Sequence, residues 1–449
     1  MKQPENVHKR TYPDLIYGKI KRLKRSPAAS AGGDDESSLD AADTILLKSD
    51  GTPTYHFANV VDDHLMKITH VIRGTEWMAS TPLHYDLYTA FGWEPPVFAH
   101  VGLLLDKDKA KLSKRNADIA LDVKGLREEH GVLPETLCNF LTLQGWSNPN
   151  KNDVMTMDEL AQSFDLKFTK GNTMVLMEKL WYLQKNHVQR RCEEARNGNK
   201  KALGDLVEKI TDAAAKEYPD ALAKHGSKAS LAQYCRNILL ADDKSYQTAD
   251  QFVQRNWYFF HYEPESDNSA VSPSSSGDSN ITPSPSALQD LTTTLLRTLS
   301  PTRPYLNSPF EKPPSATTKS ESSHARPPTD LERASARIHA HLNEAIWHRV
   351  LADADHELPE SVQVPFTDRA IDTPAFLKAA VPDDEAVREQ VAKAYKEWQK
   401  GVMRFLRERL ASGTPGPGVG VLMAVLGWRE CCRRCGVEVG AGEGEDGGW

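Results

Sequence analysis

The chain has 449 residues, more than a single ordinary domain of roughly 100–150 residues holds, so two or three domains are expected. Hydrophobic residues at 39% and charged residues at 26% sit near the globular norm, and no apolar run approaches the ~20 residues a bilayer span needs. A formal net charge of −7, from 55 Lys+Arg against 62 Asp+Glu, argues against a protein that coats nucleic acid nonspecifically, so any RNA contact is local.

In chain order, the first residues mix Lys2, Lys9 and Arg10 with Glu5 and Asp14 around no apolar stretch, so no secretory signal or other targeting segment is read there. A basic cluster at Lys19, Lys21, Arg22, Lys24 and Arg25 reads as a solvated surface. Residues 26–42 are Ala/Ser/Gly/Asp-rich and read as a loop. Tyr55 to His64 (YHFANVVDDH) is suggestive only: Asp62, Asp63 and His64 fit either a metal cluster or an exposed helix face.

The most regular part follows. Thr69 to Arg73 (THVIR) predicts a short strand, Ser80-Thr81-Pro82 predicts a cap with proline in the first helical turn, and Leu83, Leu87, Tyr88 and Phe91 keep helical spacing until Gly92 stops them. Val97 to Leu105 (VFAHVGLLL) predicts a second strand. Strand, helix and strand make a βαβ unit with parallel strands. In such sheets ligands bind beyond the carboxyl ends of the strands, and those ends carry Arg73 to Trp77 and Lys107 to Arg115, so two polar segments are expected to converge on one crevice.

From Val123 onward the pattern turns helical, with segments Val123 to His130 and Pro134 to Gln144 each closed by glycine and no further βαβ unit expected. Val188 to Tyr258 and Leu331 to Leu410 carry 3.6-period stripes, including Val391, Tyr395, Trp398, Val402, Phe405 and Leu406, as expected of a helical core. Residues 265–330, with NSAVSPSSSGDSNITPSPS, offer too little apolar surface to offset ordering entropy and are expected to be disordered, as is the Gly- and acid-rich tail 436–449. Six cysteines in so long a chain make no secreted disulfide framework. Cys138, Cys192 and Cys235 are expected to be buried, and Cys431, Cys432 and Cys435 lack a second Cys/His pair at zinc spacing, so no metal is assigned.

Lys111-Leu112-Ser113-Lys114-Arg115 sets two lysines three apart in a polar loop past a strand end, either a basic surface turn or a pair of ammonium groups in reach of phosphates. Taken with GTPTYHFANVVDDHLMKITHVIRGTEWMASTPLHYDLYTAFGW before it and GVLPETLCNFLTLQGWS after it, KLSKR resembles the KMSKS loop of a class I aminoacyl-tRNA synthetase, and the whole stretch from Asp43 to about Arg191 is similar to the second half of the catalytic core of bacterial-type glutamyl-tRNA synthetases. GTPGPGVGVLMAVLG resembles that family's last helices.

The resemblance implies a fold of α/β plus all-α type: the second half of a Rossmann-type class I catalytic core followed by a helical anticodon-binding domain, with disordered inserts. It implies residues 1–42 as a remnant of an inserted acceptor-binding domain with YPDLIYGKIK as a strand remnant, 43–120 as the catalytic half, 121–190 as a helical connecting domain, and 191–264 and 331–435 as the anticodon-binding region flanking the insert. Arg73 is implied to grip the glutamate side-chain carboxylate through its guanidinium fork, with Tyr55, Asn59 and Trp77 lining the pocket. Glu76 is implied at the adenosine of ATP, and Lys111, Leu112, Ser113, Lys114 and Arg115 at its phosphates, with Lys111 and Lys114 as the catalytic countercharges. ATP is then a substrate, Mg²⁺ enters with it, glutamate and its tRNA are partners, the protein is a monomer, and Ser/Pro-rich inserts in a bacterial-like enzyme suggest the mitochondrial matrix. The HIGH motif and the strands around it are not found before Asp43, and His100-Val101-Gly102 lies in the wrong place for one; the expectation is an incomplete chain of an active ligase, against an inactive tRNA-binding paralogue. Glutaminyl-tRNA synthetase is a close relative, and the helical C-terminal pattern favours glutamate.

Overall fold

The structure is a computed structural model that describes residues 11–21, 44–112, 122–149, 152–261, 283–299, 328–356, 377–378, 380–381 and 384–439. It divides into two compact units, Met1–His187 and Val188–Trp449. The low-complexity stretch 26–42 lies outside the described residues. No helix among the described residues is long and apolar enough to cross a membrane.

The first unit opens on a hairpin, β1 (Thr11–Asp14) antiparallel to β2 (Gly18–Lys21). Asp14 makes its turn: the carboxylate oxygen Oδ1 accepts from the amides of Ile16 at 2.9 Å and Tyr17 at 2.8 Å, a local bond that short acidic side chains supply where the backbone reverses. The hairpin, expected to belong to a separate inserted domain, docks here on the parallel sheet, where the Leu15 amide bonds the Phe98 carbonyl at 2.9 Å.

That sheet is the expected βαβ unit. Helix α1 (Tyr55–Leu65) leads to β3 (His70–Gly74), a 3₁₀ turn covers Thr75–Ser80, and α2 (Thr81–Phe91) crosses to β4 (Val97–Val101), which runs parallel to β3 with Arg73 opposite His100. Pro82 sits in the first turn of α2, and Gly92 ends it at φ 70°, where a side chain would be strained. Ser80 makes no side-chain cap, contrary to expectation, because the 3₁₀ turn runs straight into α2 and the Ser80 hydroxyl is given to the Trp77 carbonyl at 2.7 Å. Val60, Leu87 and Tyr88 form the buried seam between α1 and α2, with Phe57, Leu83 and Trp93 packed on it.

The apolar run 97–105 is two strands rather than one. It breaks at Gly102, and β5 (Leu104–Leu105) then pairs in parallel with β6 (Thr173–Met174), an element the helical reading of that region did not anticipate. Helices α3 (Val123–Glu128), α4 (Pro134–Thr142), α5 (Met157–Ser163) and the start of α6 (Met177–Arg196) enclose a second core of Leu126, Val132, Phe140, Val154, Leu180 and Leu183.

The second unit is helical throughout its described residues. Val391, Trp398, Val402 and Leu406 of the expected stripe are buried on the helix Glu385–Ala411, and Tyr395 stacks on Trp347 with ring centroids 3.8 Å apart. Three expectations are corrected. Within 265–330, Pro285–Thr298 forms a helix that buries Leu288, Thr292, Leu295 and Leu296, because four apolar or small side chains at helical spacing outweigh the Ser/Pro composition around them. Val437, assigned to the tail, is buried and its amide bonds the Cys432 carbonyl at 2.9 Å. Cys138 is exposed on α4, whose inward face is taken by Thr136, Asn139 and Phe140, whereas Cys192, Cys235, Cys431, Cys432 and Cys435 are buried and free.

Candidate functional site

Arg73 is the next-to-last residue of β3, so its side chain leaves the sheet at the carboxyl end of the strand. Three neutral acceptors hold it. Nε donates to His100 Nε2 at 3.1 Å, and Nη2 donates to Thr81 Oγ1 at 3.0 Å and to the Trp77 carbonyl at 3.2 Å. The Phe98 ring lies beside it, 5.2 Å from Cζ to the centroid. Among the described residues no carboxylate stands within ion-pair distance of the guanidinium, and Nη1 has no protein partner. A partly buried cation with no counter-ion is unfavourable unless an anion completes the site.

An arginine Nε–H can only donate, so His100 Nε2 must be the accepting nitrogen and the ring proton sits on Nδ1. That nitrogen faces buried Asp14, whose Oδ2 is 2.7 Å away and also accepts the His100 amide at 3.1 Å. Two further histidines adjoin. His56 Nδ1 lies 2.9 Å from His84 Nε2, and burial, with Arg73 close by, holds both below the usual histidine range, His84 down to about 3. Both are therefore neutral near pH 7 and add no positive charge to the site.

Tyr55 and Asn59 are one turn apart on α1, the spacing that puts two side chains on one helix face. The Tyr55 and Trp77 rings are 5.4 Å apart, and both are exposed at the surface. Of the pocket residues named from the sequence, Trp77 accepts from Arg73 through its carbonyl and Tyr55 adjoins the Trp77 ring, while Asn59 shares the α1 face of Tyr55.

The second polar segment does converge on the first. After β5 the chain reverses through Asp106 to Lys109: Asp106 Oδ1 accepts the amides of Asp108 and Ala110 at 2.9 Å each, Lys109 adopts φ 64°, and the Leu112 amide returns to the Leu104 carbonyl at 3.0 Å. Lys111 is carried back on this return leg, and its Nζ lies 3.1 Å from Glu76 Oε1. Gly74 lets Glu76 fold over the strand end, since a Cβ at residue 74 would fall 2.0 Å from Glu76 Oε2. Hydrogen bonding to its own backbone amide holds the Glu76 carboxyl below its usual range, with Lys111 adding to that. The exposed Lys111–Glu76 pair contributes little to stability, so Lys111 can change partner at small cost. Ser113, Lys114 and Arg115 lie outside the described residues.

Asp14, Thr81 and His100 were not singled out as site residues from sequence. The signal was present: His100 is the one polar side chain in the run VFAHVGLLL, and a histidine on a buried strand needs partners for both nitrogens.

Comparison with known proteins agrees with this geometry. Residues 1–182 match the family model for the catalytic domain of tRNA synthetases class I (E and Q). The chain is 40% identical over 261 residues to the mitochondrial glutamate–tRNA ligase of Schizosaccharomyces pombe, covering 58% of this chain and 44% of that protein. It is 39% identical over 277 residues to the mitochondrial glutamate–tRNA ligase of Saccharomyces cerevisiae, covering 60% and 47%. The chain thus spans about half the length of the curated relatives it matches. A crystal structure of a glutamate tRNA ligase from Elizabethkingia meningosepticum in complex with its amino acid superposes with a TM-score of 0.54 at 24% identity, over 95% of this chain and 65% of that one, and shows the shared fold. Residues 1–182 of this chain are thus similar to the catalytic domain of the class I tRNA synthetases for glutamate and glutamine, the part that holds the parallel sheet and its carboxyl-end polar segments.

Proposed function

We propose that this chain serves a glutamate–tRNA ligase: Arg73 takes the side-chain carboxylate of glutamate, and the Glu76–Lys111 edge takes ATP. The observation that carries the reading is the Arg73 guanidinium, fixed at a strand end by three neutral acceptors, beside the Phe98 ring and, among the described residues, without a carboxylate of its own. A dicarboxylic amino acid supplies the missing counter-ion, and two N–H groups meeting two oxygens set its orientation. Tyr55, Asn59 and Trp77 then line the amino-acid pocket.

In the first step an α-carboxylate oxygen of glutamate attacks the α-phosphorus of ATP, the bond to the bridging oxygen breaks, and pyrophosphate leaves with the electron pair. Lys111 and Lys114, with Leu112, Ser113 and Arg115 in the same KLSKR sequence, offset the charge that accumulates on the departing phosphates. In the second step a ribose hydroxyl of the terminal adenosine of tRNA attacks the activated carbonyl, giving the ester and AMP; positioning contributes most of that rate. Mg²⁺ would arrive with ATP, held largely by the phosphates and water. The names of the two yeast relatives support a mitochondrial location, and the reading takes the protein as a monomer with tRNA for glutamate as its macromolecular partner.

Arg73→Leu tests the reading. Glutamate binding to the 449-residue chain by calorimetry should weaken by roughly 30-fold to several-thousand-fold, the range for removing one partner of a desolvated charge pair, with ATP binding nearly unchanged. Unchanged glutamate affinity in the variant would overturn it.

A further inference from the structure

Arg73 is aimed by a chain of two buried groups that begins on the N-terminal hairpin. Asp14 receives four donors: the amides of Ile16 and Tyr17 at Oδ1, and the amide and ring Nδ1–H of His100 at Oδ2. Both its oxygens are occupied as acceptors only. The His100 ring is fully buried, so a proton on Nδ1 is held by Asp14 and the lone pair on Nε2 faces Arg73 Nε–H at 3.1 Å, with the Thr81 hydroxyl also 3.2 Å from it. The other tautomer could give Nε2–H to Thr81 Oγ1, but it would leave Arg73 Nε–H facing a donor and a donorless Nδ1 against the Asp14 carboxylate. The hairpin is separately fastened to β4 by Leu15 N to Phe98 O, so docking does not require this pair.

We propose that Asp14 and His100 are positioning residues for Arg73: the Asp14 carboxylate fixes the His100 tautomer, and His100 Nε2 fixes the edge of the guanidinium so that Nη1 is presented to the carboxylate of an amino-acid ligand, a role that rests on reading Arg73 as the anchor for glutamate. Selectivity for a dicarboxylic amino acid is thereby coupled to a residue 86 positions before His100 in the chain. The arrangement works as an Asp–His pair does in hydrolase triads, where replacing the acid by its amide leaves the fold and yields the wrong tautomer.

The test uses the 449-residue chain and four measurements: amide spectra for folding, ¹⁵N shifts of the His100 ring, the ¹⁵Nε–¹H signal of Arg73, and calorimetric affinities for glutamate and ATP. Asp14→Asn puts an amide nitrogen against His100 Nδ1–H; the ring proton should move to Nε2, the Arg73 Nε–H signal should lose its exchange protection, and glutamate should bind at least about tenfold more weakly while ATP is unaffected. His100→Phe keeps the ring and removes the acceptor, and should match that loss. His100→Gln returns an acceptor oxygen and should recover to within about threefold of the parent, the reverse of the order expected if His100 only filled space. If Asp14→Asn fails to fold, the two His100 variants decide. A folded Asp14→Asn or His100→Phe chain with parent-like glutamate affinity overturns the proposal, as does a parent His100 protonated on Nε2. If the parent chain itself takes up no glutamate, the reading of the pocket is wrong, and the relay is then judged by the His100 tautomer and the Arg73 signal alone: an Arg73 signal unmoved by Asp14→Asn overturns it.

Discussion

Three histidines, His56, His84 and His100, lie near the Arg73 charge, and burial first of all holds each below the usual histidine range, Arg73 adding to the effect and Asp14 opposing it at His100. The sign of the consequence follows from proton counting. An unfolded chain protonates these rings below about 6.5 while the folded unit keeps His84 neutral down to about 3, so the unfolded state binds more protons in that window and stability is lost as pH falls through it. Thermal unfolding followed at successive pH values should show the first unit losing stability from about pH 6.5 downward, and His84→Leu should flatten that slope; an equally steep slope in the variant would assign the acid sensitivity elsewhere. Arg73 itself was legible in sequence, because a strand-end arginine after THVIR sits where ligands bind and the surrounding segments resemble a known pocket. Its supports were not. Asp14 and Thr81 lie far from His100 in sequence, and only folding brings the three polar side chains to one guanidinium.

At the scale of elements, α2 was legible at both ends because its signals are local: proline in the first turn and a glycine at φ 70° after the last. The end of β4 was not, because the break at Gly102 is imposed from outside. A Cβ there would fall 1.6 Å from the Gly171 carbonyl oxygen, so the two backbones touch, and the strand must stop and restart as β5 to pair with β6. Two glycine substitutions separate the kinds of constraint. Gly92→Ala has open space around its Cβ and suffers only the backbone penalty at positive φ, about 1 kcal/mol. Gly102→Ala meets fixed backbone and should destabilise by about 1–3 kcal/mol or more. Urea midpoints for the two chains provide the comparison, and a Gly102→Ala chain as stable as Gly92→Ala would mean that the 102/171 contact yields without strain.

At the scale of the molecule, composition misled most where a structured segment is embedded in a biased one. The window 265–330 is Ser/Pro-rich on average, yet Ser284 caps a helix by accepting the Ala287 amide at 3.2 Å, and the 14 residues that follow carry Leu288, Leu295 and Leu296 inward. This helix is tied to the end of its unit by two directed bonds, Trp428 Nε1 to the Leu296 carbonyl at 2.7 Å and Gln289 Nε2 to the Cys435 carbonyl at 2.8 Å. Leu288 also packs at Gly401, where an added Cβ would come within 3.4 Å of it. Burying each of three leucines stabilises by about 1.5–3 kcal/mol, which together rivals the net stability of an ordinary domain. Deleting residues 283–299 should therefore unfold the second unit or lower its melting temperature severely, and Leu296→Ala, which leaves a cavity at a fully buried position, should destabilise it by about 2–5 kcal/mol. Replacing residues 265–282 by a neutral linker of equal length leaves every one of these contacts in place. Calorimetric scans of the three chains decide the matter: a melting profile unchanged by the 283–299 deletion would return the whole window to the status of a dispensable insert, whereas loss on that deletion with retention on the linker exchange confines the dispensable part to the residues before the helix.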